Sequence, residues 1–437
     1  MTRILGFSVL VLLLASGTAA LGEDVQGQIT DLQNQLKELK QRLDNIDKKT
    51  DSAKPIAGWD GKFFIQSSDG EYRANIGACA HFDGRFPFNG PSKSNDQFLF
   101  RRVRLYLEGY LARYYEFKVE ADIGAAAAKF TDVFVNWHYF DEFQVKAGQF
   151  KVPFSVEELT SENTTRFIEK SVVDAFAPGR RLGVMVGGKP DGSGLLDYGV
   201  GMFNGRQPGS FMPAGRLVLD LASRQELGLL HNFSIGANAA LDHDAGAVIG
   251  GDKFETGMKT KFFEYAKGAK GDTTDSVYSN GNRLLQGADL SFWRGPFGFI
   301  TEYVVSEQNL AKAGSLPEKI KNQGWYAQAS YVLTGEEATA KGVKPKKDFD
   351  LSKGTWGAFE VAARYAVLNI DDKAFTSGFA AQPASTDGAK VTTAGLNWYL
   401  SKHVRIMVDF EHAQFASALK NGDKGENGIM TRVQFAF

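Results

Sequence analysis

From residue 59 onward, apolar and polar residues alternate over runs that often reach ten residues or more. The run at residues 98–111 separates its side chains onto two faces: Leu99, Val103, Leu105, Leu107 and Leu111 against Arg102, Arg104, Tyr106 and Glu108. Strands of soluble sandwiches alternate too, but they usually have about five or six residues. A tilted strand that crosses a membrane needs about nine to eleven. The pattern therefore predicts an all-β fold, a transmembrane antiparallel β-barrel.

The segments between the runs support this architecture. A tight turn at residues 294–298 contrasts with long polar loops at residues 266–282, 311–323, 341–353 and 371–390. Short turns at one end and long loops at the other are typical of bacterial barrels, whose strand number is usually even. We count roughly 17 candidate strands, so we predict 16, with 18 as the alternative. A barrel of that size, here residues 59–437, encloses an aqueous lumen.

Two segments precede the predicted barrel. Residues 1–20 have a basic start at Arg3, an apolar run at residues 4–14 and a small-residue cleavage site at residues 18–20, the pattern of a secretory signal peptide. Residues 21–50 then carry apolar residues at alternating spacings of four and three: Val25, Ile29, Leu32, Leu36, Leu39, Leu43 and Ile46. This is the a/d seam of a coiled coil. The hypothesis is oligomerisation through Ile29 to Ile46; the alternative is a lone amphipathic helix lying on its own barrel. Residues 51–58 read as a polar linker.

Residues 148–181 follow an alternating strand at residues 143–147 and run for about 30 residues before strand pattern resumes. Loops of this length without structure of their own are uncommon and tend to be functional. Our interpretation is that residues 151–181 fold into the lumen and constrict it. The basic residues there that could contact an anion are Lys151, Arg166, Lys170, Arg180 and Arg181.

On the strands, Arg102 and Arg104 face the lumen by parity, whereas Arg101 falls on the lipid-facing parity and is expected near a strand end. A guanidinium offers donors that match phosphate oxygens. Carboxylates nevertheless balance the long loop, at Glu157, Glu158, Glu162, Glu169 and Asp174. The inward strand faces are balanced as well, so most charges are expected to pair across strands. From these residues alone, anion selectivity stays open.

Other function classes find little support. The sequence shows no Ser/His/Asp arrangement, no metal-ligand spacing among its 6 histidines and no isolated carboxylate pair, so we expect neither an enzyme nor a cofactor or metal. A formal net charge of −1 gives no reason to expect a nucleic-acid partner. The single cysteine, Cys79, cannot form an intramolecular disulfide.

Six segments together resemble the phosphate-selective porin O and P family of bacterial outer-membrane channels: residues 101–109, 148–157, 285–303, 326–336, 356–372 and 394–413. The resemblance implies a 16-stranded barrel, a trimer and a pore constricted by an inward-folded loop. It implies a lumen whose arginines and lysines conduct phosphate or polyphosphate, with Arg102 and Arg104 matching the family's basic strand motif. Phe437 resembles the C-terminal aromatic by which the barrel-assembly machinery recognises such proteins; a lipid-facing girdle position is compatible with that role.

The sequence therefore predicts an outer-membrane porin, a passive diffusion channel for small hydrophilic solutes, selective for anions such as phosphate if the resemblance holds. The alternatives are a weakly selective general porin and a plugged structural barrel anchored through its coiled coil. Expected partners are the outer-membrane bilayer, further copies of the chain in a homotrimer, and small anionic or neutral solutes. The coiled coil would lie in the periplasm.

Overall fold

The computed structural model describes residues 23–52, 54–124, 128–191, 194–420 and 422–437. The chain divides into two compact units, one of residues 1–58 and 65–71 and the other of residues 59–64 and 72–437. The predicted signal peptide, residues 1–20, lies outside the described residues. It therefore stays a prediction, as does the linker at residues 51–58.

The first unit contains one long helix, α1, Glu23–Ser52. The leucines of its predicted seam are 41–64% exposed: Leu32, Leu36, Leu39 and Leu43. Ile29 is half-buried, and Ile46 lies in the helix although its side chain is outside the described residues. On the polar face, Arg42 pairs with Glu38 at 2.8 Å, a spacing of one helical turn. No helix among the described residues is long and apolar enough to cross a membrane.

The described residues form twenty strands, of which sixteen are long. They are β1 Ile56–Trp59, β2 Phe63–Gln66, β3 Arg73–Pro87, β4 Gln97–Leu111, β5 Tyr115–Asp122, β6 Lys129–Trp137, β7 Gln144–Lys151, β8 Arg180–Gly188, β9 Leu196–Asn204, β10 Phe211–Asp220, β11 Phe233–His243, β12 Lys253–Glu255, β13 Lys261–Glu264, β14 Tyr278–Arg294, β15 Phe297–Ala311, β16 Glu318–Val332, β17 Ala358–Asn369, β18 Gly388–Tyr399, β19 Val404–Phe415 and β20 Gly425–Ala436. Strands β3–β11 and β14–β20 pair antiparallel with their neighbours along the chain. β20 pairs with β3, which closes a barrel of sixteen strands. The prediction of sixteen is confirmed.

Two buried side chains lock this closing seam. Arg432 of β20 donates from Nε and Nη2 to the two carboxylate oxygens of Asp83 of β3, both at 2.7 Å, and both side chains are 0% exposed. At the end of the seam, the Phe437 amide donates to the Ala78 carbonyl at 3.0 Å, and the Ala78 amide donates to the Phe437 carbonyl at 3.1 Å. The Tyr106 hydroxyl also donates to the Phe437 carbonyl, at 2.6 Å. Phe437 thus completes the β20–β3 ladder, and its role in assembly stays a prediction.

The connections depart from the predicted loops in two ways. β16 begins at Glu318 and β14 at Tyr278, so the loops predicted at residues 311–323 and 266–282 are shorter than expected. Residues 333–357, which include the predicted loop 341–353, join β16 to β17 at the same barrel end as the tight turn after β14. Its backbone bonds to that turn, from the Ala338 amide to the Gly295 carbonyl at 2.8 Å. The end that carries Phe437 therefore includes longer connections among its short ones, residues 333–357 and, between β10 and β11, residues 221–232.

We expect R432M to destabilise the barrel by about 3–5 kcal/mol, because it leaves Asp83 as a buried carboxylate without a partner. The double variant D83L/R432M should recover most of that loss, since it removes both charges. Urea titration of the detergent-folded protein, followed by the electrophoretic shift between folded and unfolded barrel, measures the change. A double variant as unstable as R432M would show that the ion pair does not secure the closing seam.

Candidate pore and inner segment

Residues 152–179 join β7 to β8, and we name them the inner segment. It contains a short helix, α2, Val156–Leu159, and a turn of 3-10 helix, Val172–Phe176. Five of its apolar residues are buried in one hydrophobic cluster: Val152, Phe154, Val172, Val173 and Phe176. The segment leaves the wall at Lys151 and rejoins it at Arg180, which are register partners. It therefore has packing of its own and is not an extended loop.

The inner segment is bonded to strands on the far side of the barrel. Glu302 of β15 accepts hydrogen bonds from the Ser155 hydroxyl at 3.1 Å and from the Val156 amide at 3.2 Å. Asp409 of β19 accepts from the Ile168 amide at 2.6 Å. Because β15 and β19 lie across the closed sheet from β7 and β8, the segment crosses the interior to reach them. Carboxylates of the barrel wall thus accept hydrogen bonds from backbone N–H groups of the inner segment.

Carboxylates of the segment are held by cations of the opposite wall in return. Glu169 pairs with Arg85 of β3 and Arg101 of β4, each at 2.7 Å, and with Lys259 at 3.4 Å. Glu157 pairs with Arg364 of β17 at 3.3 Å. With ends at β7 and β8 and bonds to β3, β15, β17 and β19, the segment is fixed around most of the circumference.

The parity prediction for Arg101 is wrong. In the β3–β4 register, His81 faces Arg102 and Phe82 faces Phe100, so Arg101 is an extra residue without a partner. A β-bulge of this kind shifts the side-chain parity of its strand. Arg101 and Arg102 therefore both reach the interior. The same shift affects Leu99, which the sequence analysis placed on the same face as Val103 and Leu105. In the structure Leu99 is the register partner of the buried Asp83, so that placement is wrong.

A second inward element was missed by the sequence analysis. β12 and β13 form a separate two-stranded sheet, and we name residues 253–264 the inner hairpin. At its tip the Met258 amide donates to Glu411 of β19 at 3.2 Å, and the hydroxyl of Thr260 donates to Glu426 of β20 at 2.5 Å. Lys259, from the same tip, reaches Glu169 of the inner segment. A short alternation on either side of Gly257 was the only sequence signal for it.

Three adjacent cavities lie beside the inner segment, lined by residues of strands β3–β10 and of the inner hairpin, and we name them together the open path. The first, about 420 Å³, and the second, about 430 Å³, share Arg104 and Glu162. The third, about 390 Å³, shares Lys118, Asp132 and Lys151 with the second. On the opposite side, around Arg166, the space beside the segment is only about 50 Å³. The inner segment therefore packs against one half of the wall and leaves the path along the other.

The open path is lined by more cations than carboxylates among the described residues. Thirteen cationic side chains line it: Lys62, Arg101, Arg102, Arg104, Lys118, Lys129, Lys146, Lys151, Lys170, Arg180, Arg216, Lys253 and Lys259. Ten carboxylates accompany them: Glu108, Glu120, Asp122, Asp132, Glu158, Glu162, Glu169, Asp174, Asp197 and Glu255. Within this set, three cations form no hydrogen bond or ion pair with the described residues: Arg102, Lys129 and Lys146. Among the ten carboxylates, Asp197 alone forms none with the described residues.

The predicted site residues divide into two groups. Arg102, Arg104, Lys151, Lys170 and Arg180 all line the open path. Arg104 pairs with Asp122 at 3.0 Å and Glu162 at 3.1 Å, whereas Arg102 is 8% exposed and unpaired. The other group lies elsewhere. Arg166 pairs with Glu360 at 3.3 Å and covers the Trp293 ring at 4.6 Å, and Arg181 lies 3.9 Å from Asp242.

The remaining cations of the first group hold the segment in place. Lys151 donates to the backbone carbonyls of Glu158 and Thr160 at 2.5 and 2.9 Å. Lys170 pairs with Glu158 and, at 3.2 Å, with Asp174. These bonds lie within the segment or at its base. The two lysines therefore support the fold of the segment even though they face the path.

No group of three or more side chains that could hold a metal ion occurs among the described residues.

Burial and charge act in opposite directions on the carboxylates of the inner segment. Burial alone would raise the pKa of the Glu169 carboxyl, but Lys259, Arg101 and Arg85 outweigh it and hold that pKa well below its usual value. Burial likewise opposes ionisation of Glu162, and Lys151, Arg102 and Arg104 again hold its pKa well below the usual value. Both carboxylates are therefore ionised at neutral pH, which keeps the segment attached to the wall cations.

Comparison with known proteins decides the family. The model of the family "phosphate-selective porin O and P" matches residues 73–437, which is nearly the whole barrel. The chain belongs to this porin family. It is 25% identical over 443 residues to Porin O of Pseudomonas aeruginosa, covering 89% of this chain and 94% of the relative. The family and the fold point to a channel of the bacterial outer membrane, not to an enzyme.

Solved structures share the fold at low sequence identity. An anion-selective porin from Comamonas acidovorans superposes with a TM-score of 0.53 at 13% identity, over 84% of this porin and 100% of that chain. The outer-membrane channel DcaP of Acinetobacter baumannii superposes with a TM-score of 0.55 at 10% identity, over 87% and 100%. These likenesses show the same barrel architecture.

We expect the attachment of the inner segment to depend on acid in a defined direction. A carboxyl whose pKa is depressed by folding stabilises the folded state above its unfolded pKa, and that stability is lost as pH falls through the folded pKa. Open-channel noise of single channels should therefore stay constant from neutral pH down to about 4.5, the ordinary value for glutamate, and rise only below it. In E169Q the noise should be raised at every pH, because no carboxylate remains there to ionise.

The control is E318Q, which removes a carboxylate that pairs only with Lys373 at the rim. Its noise should match that of the unmodified channel throughout. Equal noise in E169Q and E318Q at neutral pH would contradict the role given to Glu169.

Proposed function

We propose that this porin is a passive diffusion channel for small hydrophilic solutes with a preference for anions, phosphate among them. The observation that carries the proposal is the imbalance of unpaired charge along the open path. Arg102, Lys129 and Lys146 lack partners among the described residues, against Asp197 alone. Paired charges largely cancel at a distance, so the unpaired ones dominate the field that a passing ion meets.

The arrangement suits passage better than capture. Arg102 and Lys129 line the first cavity and Lys146 lines the third, with the Arg104–Glu162 contact between the first and second cavities. An ion that leaves one unpaired cation meets a neutralised stretch before it reaches the next. Conduction requires sites that attract an ion and also release it. Ten carboxylates along the same path support a modest preference, not strict exclusion of cations.

Two relatives support the sign of the preference. The curated relative carries the name Porin O within a family described as phosphate-selective, and the Comamonas acidovorans structure is titled an anion-selective porin. Arg102 adds a guanidinium whose donors are not engaged by protein groups and can meet the oxygens of an oxyanion. The second candidate function is a weakly selective general porin, and the similar numbers of cations and carboxylates along the open path favour it. The permeability ratio described below distinguishes it from an anion-preferring channel.

We expect R102A to lower the chloride-to-potassium permeability ratio about fivefold. A unit charge about 8 Å from an ion in water attracts chloride by about 0.5 kcal/mol and repels potassium by about the same amount, and the sum of about 1 kcal/mol corresponds to that factor. The reversal potential of channels in a planar bilayer under a potassium chloride gradient measures the ratio. K373A, which removes a lysine paired with Glu318 at the barrel rim, is the matched control and should leave the ratio unchanged.

A ratio near one in the unmodified channel, with no shift in R102A, would contradict the anion preference and support a general porin. A barrel that conducts no current would contradict diffusion altogether and support a structural role.

We further propose that the porin assembles as a homotrimer whose α1 helices form a periplasmic coiled coil. The exposed leucines repeat at the a and d positions over residues 32–43, and the other exposed residues of the helix are polar. An apolar stripe in water is stabilised when copies of the same stripe cover it. About three heptads are marginal alone, but attachment to barrels held in one membrane raises their effective concentration. A related barrel, OmpT of Vibrio cholerae, has a structure titled as its trimer form.

We expect L36N/L39N to shift the oligomer in mild detergent toward monomer, because two seam positions become polar. Size-exclusion chromatography with light scattering measures the mass. Q35N/K37N alters flanking positions of the same helix and should keep the oligomer. Identical masses for both variants and the unmodified porin would contradict oligomerisation through the helix.

A further inference from the structure

The third cavity of the open path has a different character from the first two. Its cation without a partner, Lys146 of β7, lies with its ammonium 4.7 Å from the centre of the Phe134 ring and 5.6 Å from that of Phe150. Apolar side chains form part of the lining, among them Met185 and Leu159, and the charged residues Lys118, Lys151, Arg216, Asp132 and Asp197 also line it. Leu159 is 38% exposed although it belongs to the inner segment, so it presents apolar surface to the path. The cavity therefore places one cation without a partner beside apolar surface.

The carboxylates nearest to Lys146 along the wall are already engaged. Glu116 accepts from Asn136 at 2.8 Å and contacts His138 at 2.8 Å. The two carboxylate oxygens of Asp132 accept from Nε and Nη2 of Arg180, at 2.8 and 3.2 Å. Asp197 lines the cavity but lies beyond ion-pair distance of the ammonium. Lys146 therefore keeps its hydrogen-bond donors available to a solute.

The backbone makes room for the two rings. Gly148, between Lys146 and Phe150 on β7, has φ +134°, and a Cβ at that position would lie 2.7 Å from the Phe134 Cα. The same Cβ would lie 2.2 Å from the Val133 carbonyl oxygen, so a residue with a side chain at 148 would clash with the β6 backbone. Gly148 therefore allows β6 and β7 to pair closely at the position where Phe134 lies beside the ammonium.

We propose that the third cavity is a subsite for small organic anions that carry an apolar group, with aromatic monocarboxylates as the class that fits it best. The carboxylate would accept from the Lys146 ammonium, and the ring would contact Phe150, Met185 and Leu159. A cavity of about 390 Å³ is large enough for one benzoate-sized solute beside water. Inorganic phosphate would gain from the charge but not from the apolar lining.

This inference deepens the proposed function, since it names a solute class for the same path. It also predicts something that charge alone does not, because charge alone would give acetate and benzoate the same affinity. A preference between these two monoanions must come from the apolar wall. The two solutes therefore separate this subsite from the general anion preference.

The test uses the full-length porin in planar bilayers in potassium chloride, with sodium benzoate or sodium acetate added on both sides. We expect benzoate to reduce the current at a concentration at least tenfold lower than acetate. K146Q should raise the half-blocking concentration of benzoate about tenfold, and F134L, which keeps apolar bulk but removes one ring, should raise it less. K353Q, an exposed lysine paired with Asp350, is the control and should leave it unchanged.

Calorimetric titration of the detergent-folded porins with benzoate gives a readout independent of conduction. Binding that weakens in K146Q but not in K353Q supports the subsite, even for a barrel that conducts no current. Equal effects of benzoate and acetate, or benzoate affinity unchanged in K146Q, would overturn it. A chloride-to-potassium permeability ratio near one, measured in the same bilayers, would instead contradict the proposed anion preference while leaving the benzoate comparison intact. The heat-dependent electrophoretic shift confirms that each variant is folded.

Discussion

A strand that crosses hydrocarbon must satisfy every backbone donor and acceptor within the sheet, because no water is available there. The pairing of β20 with β3 meets this requirement by removing the last two free edges. Closure then dictates the rest of the structure, since alternate residues of every strand are turned into a lumen. Sixteen strands enclose more space than their own side chains fill. The polar interior is therefore shared by water and by whatever chain folds into it.

The inner segment is attached to the barrel wall by bonds in both directions. Its backbone N–H groups donate to wall carboxylates such as Glu302 and Asp409, and its own carboxylate Glu169 is bound by Arg85 and Arg101. Buried ion pairs add little net stability, but losing one partner is costly because the other stays buried and uncompensated. Such bonds are suited to fixing one position of the segment among many. Residues 151–181 carry five basic and five acidic side chains, and such bonds engage most of these charges within the protein.

The sequence predicted what repeats and missed what occurs once. Alternation repeated along sixteen strands determined the barrel, and the unstructured length between β7 and β8 marked the inner segment. The β-bulge at Arg101 breaks the alternation at a single residue, so parity placed that arginine on the wrong face. The inner hairpin has strands of three and four residues, too short for alternation to stand out. Pairing choices were also unreadable, because nothing local distinguishes the engaged Arg104 from the unpaired Arg102.

Where the inner segment is attached determines where solutes can pass. It bonds to β15, β17 and β19. Its own Arg166 pairs with Glu360 of β17 and its Glu157 with Arg364 of β17, and the space beside these pairs is only about 50 Å³. Among the described residues that line the open path, the cations without partners, Arg102, Lys129 and Lys146, lie along the other half, on β4, β6 and β7. The same attachment directs Leu159 and α2 toward the open path, opposite Lys146. The first cavity thus offers a solute charge, and the third, on the path we propose, would offer charge combined with apolar surface. The order of these two environments follows from how one segment is held, not from the overall composition of the lumen.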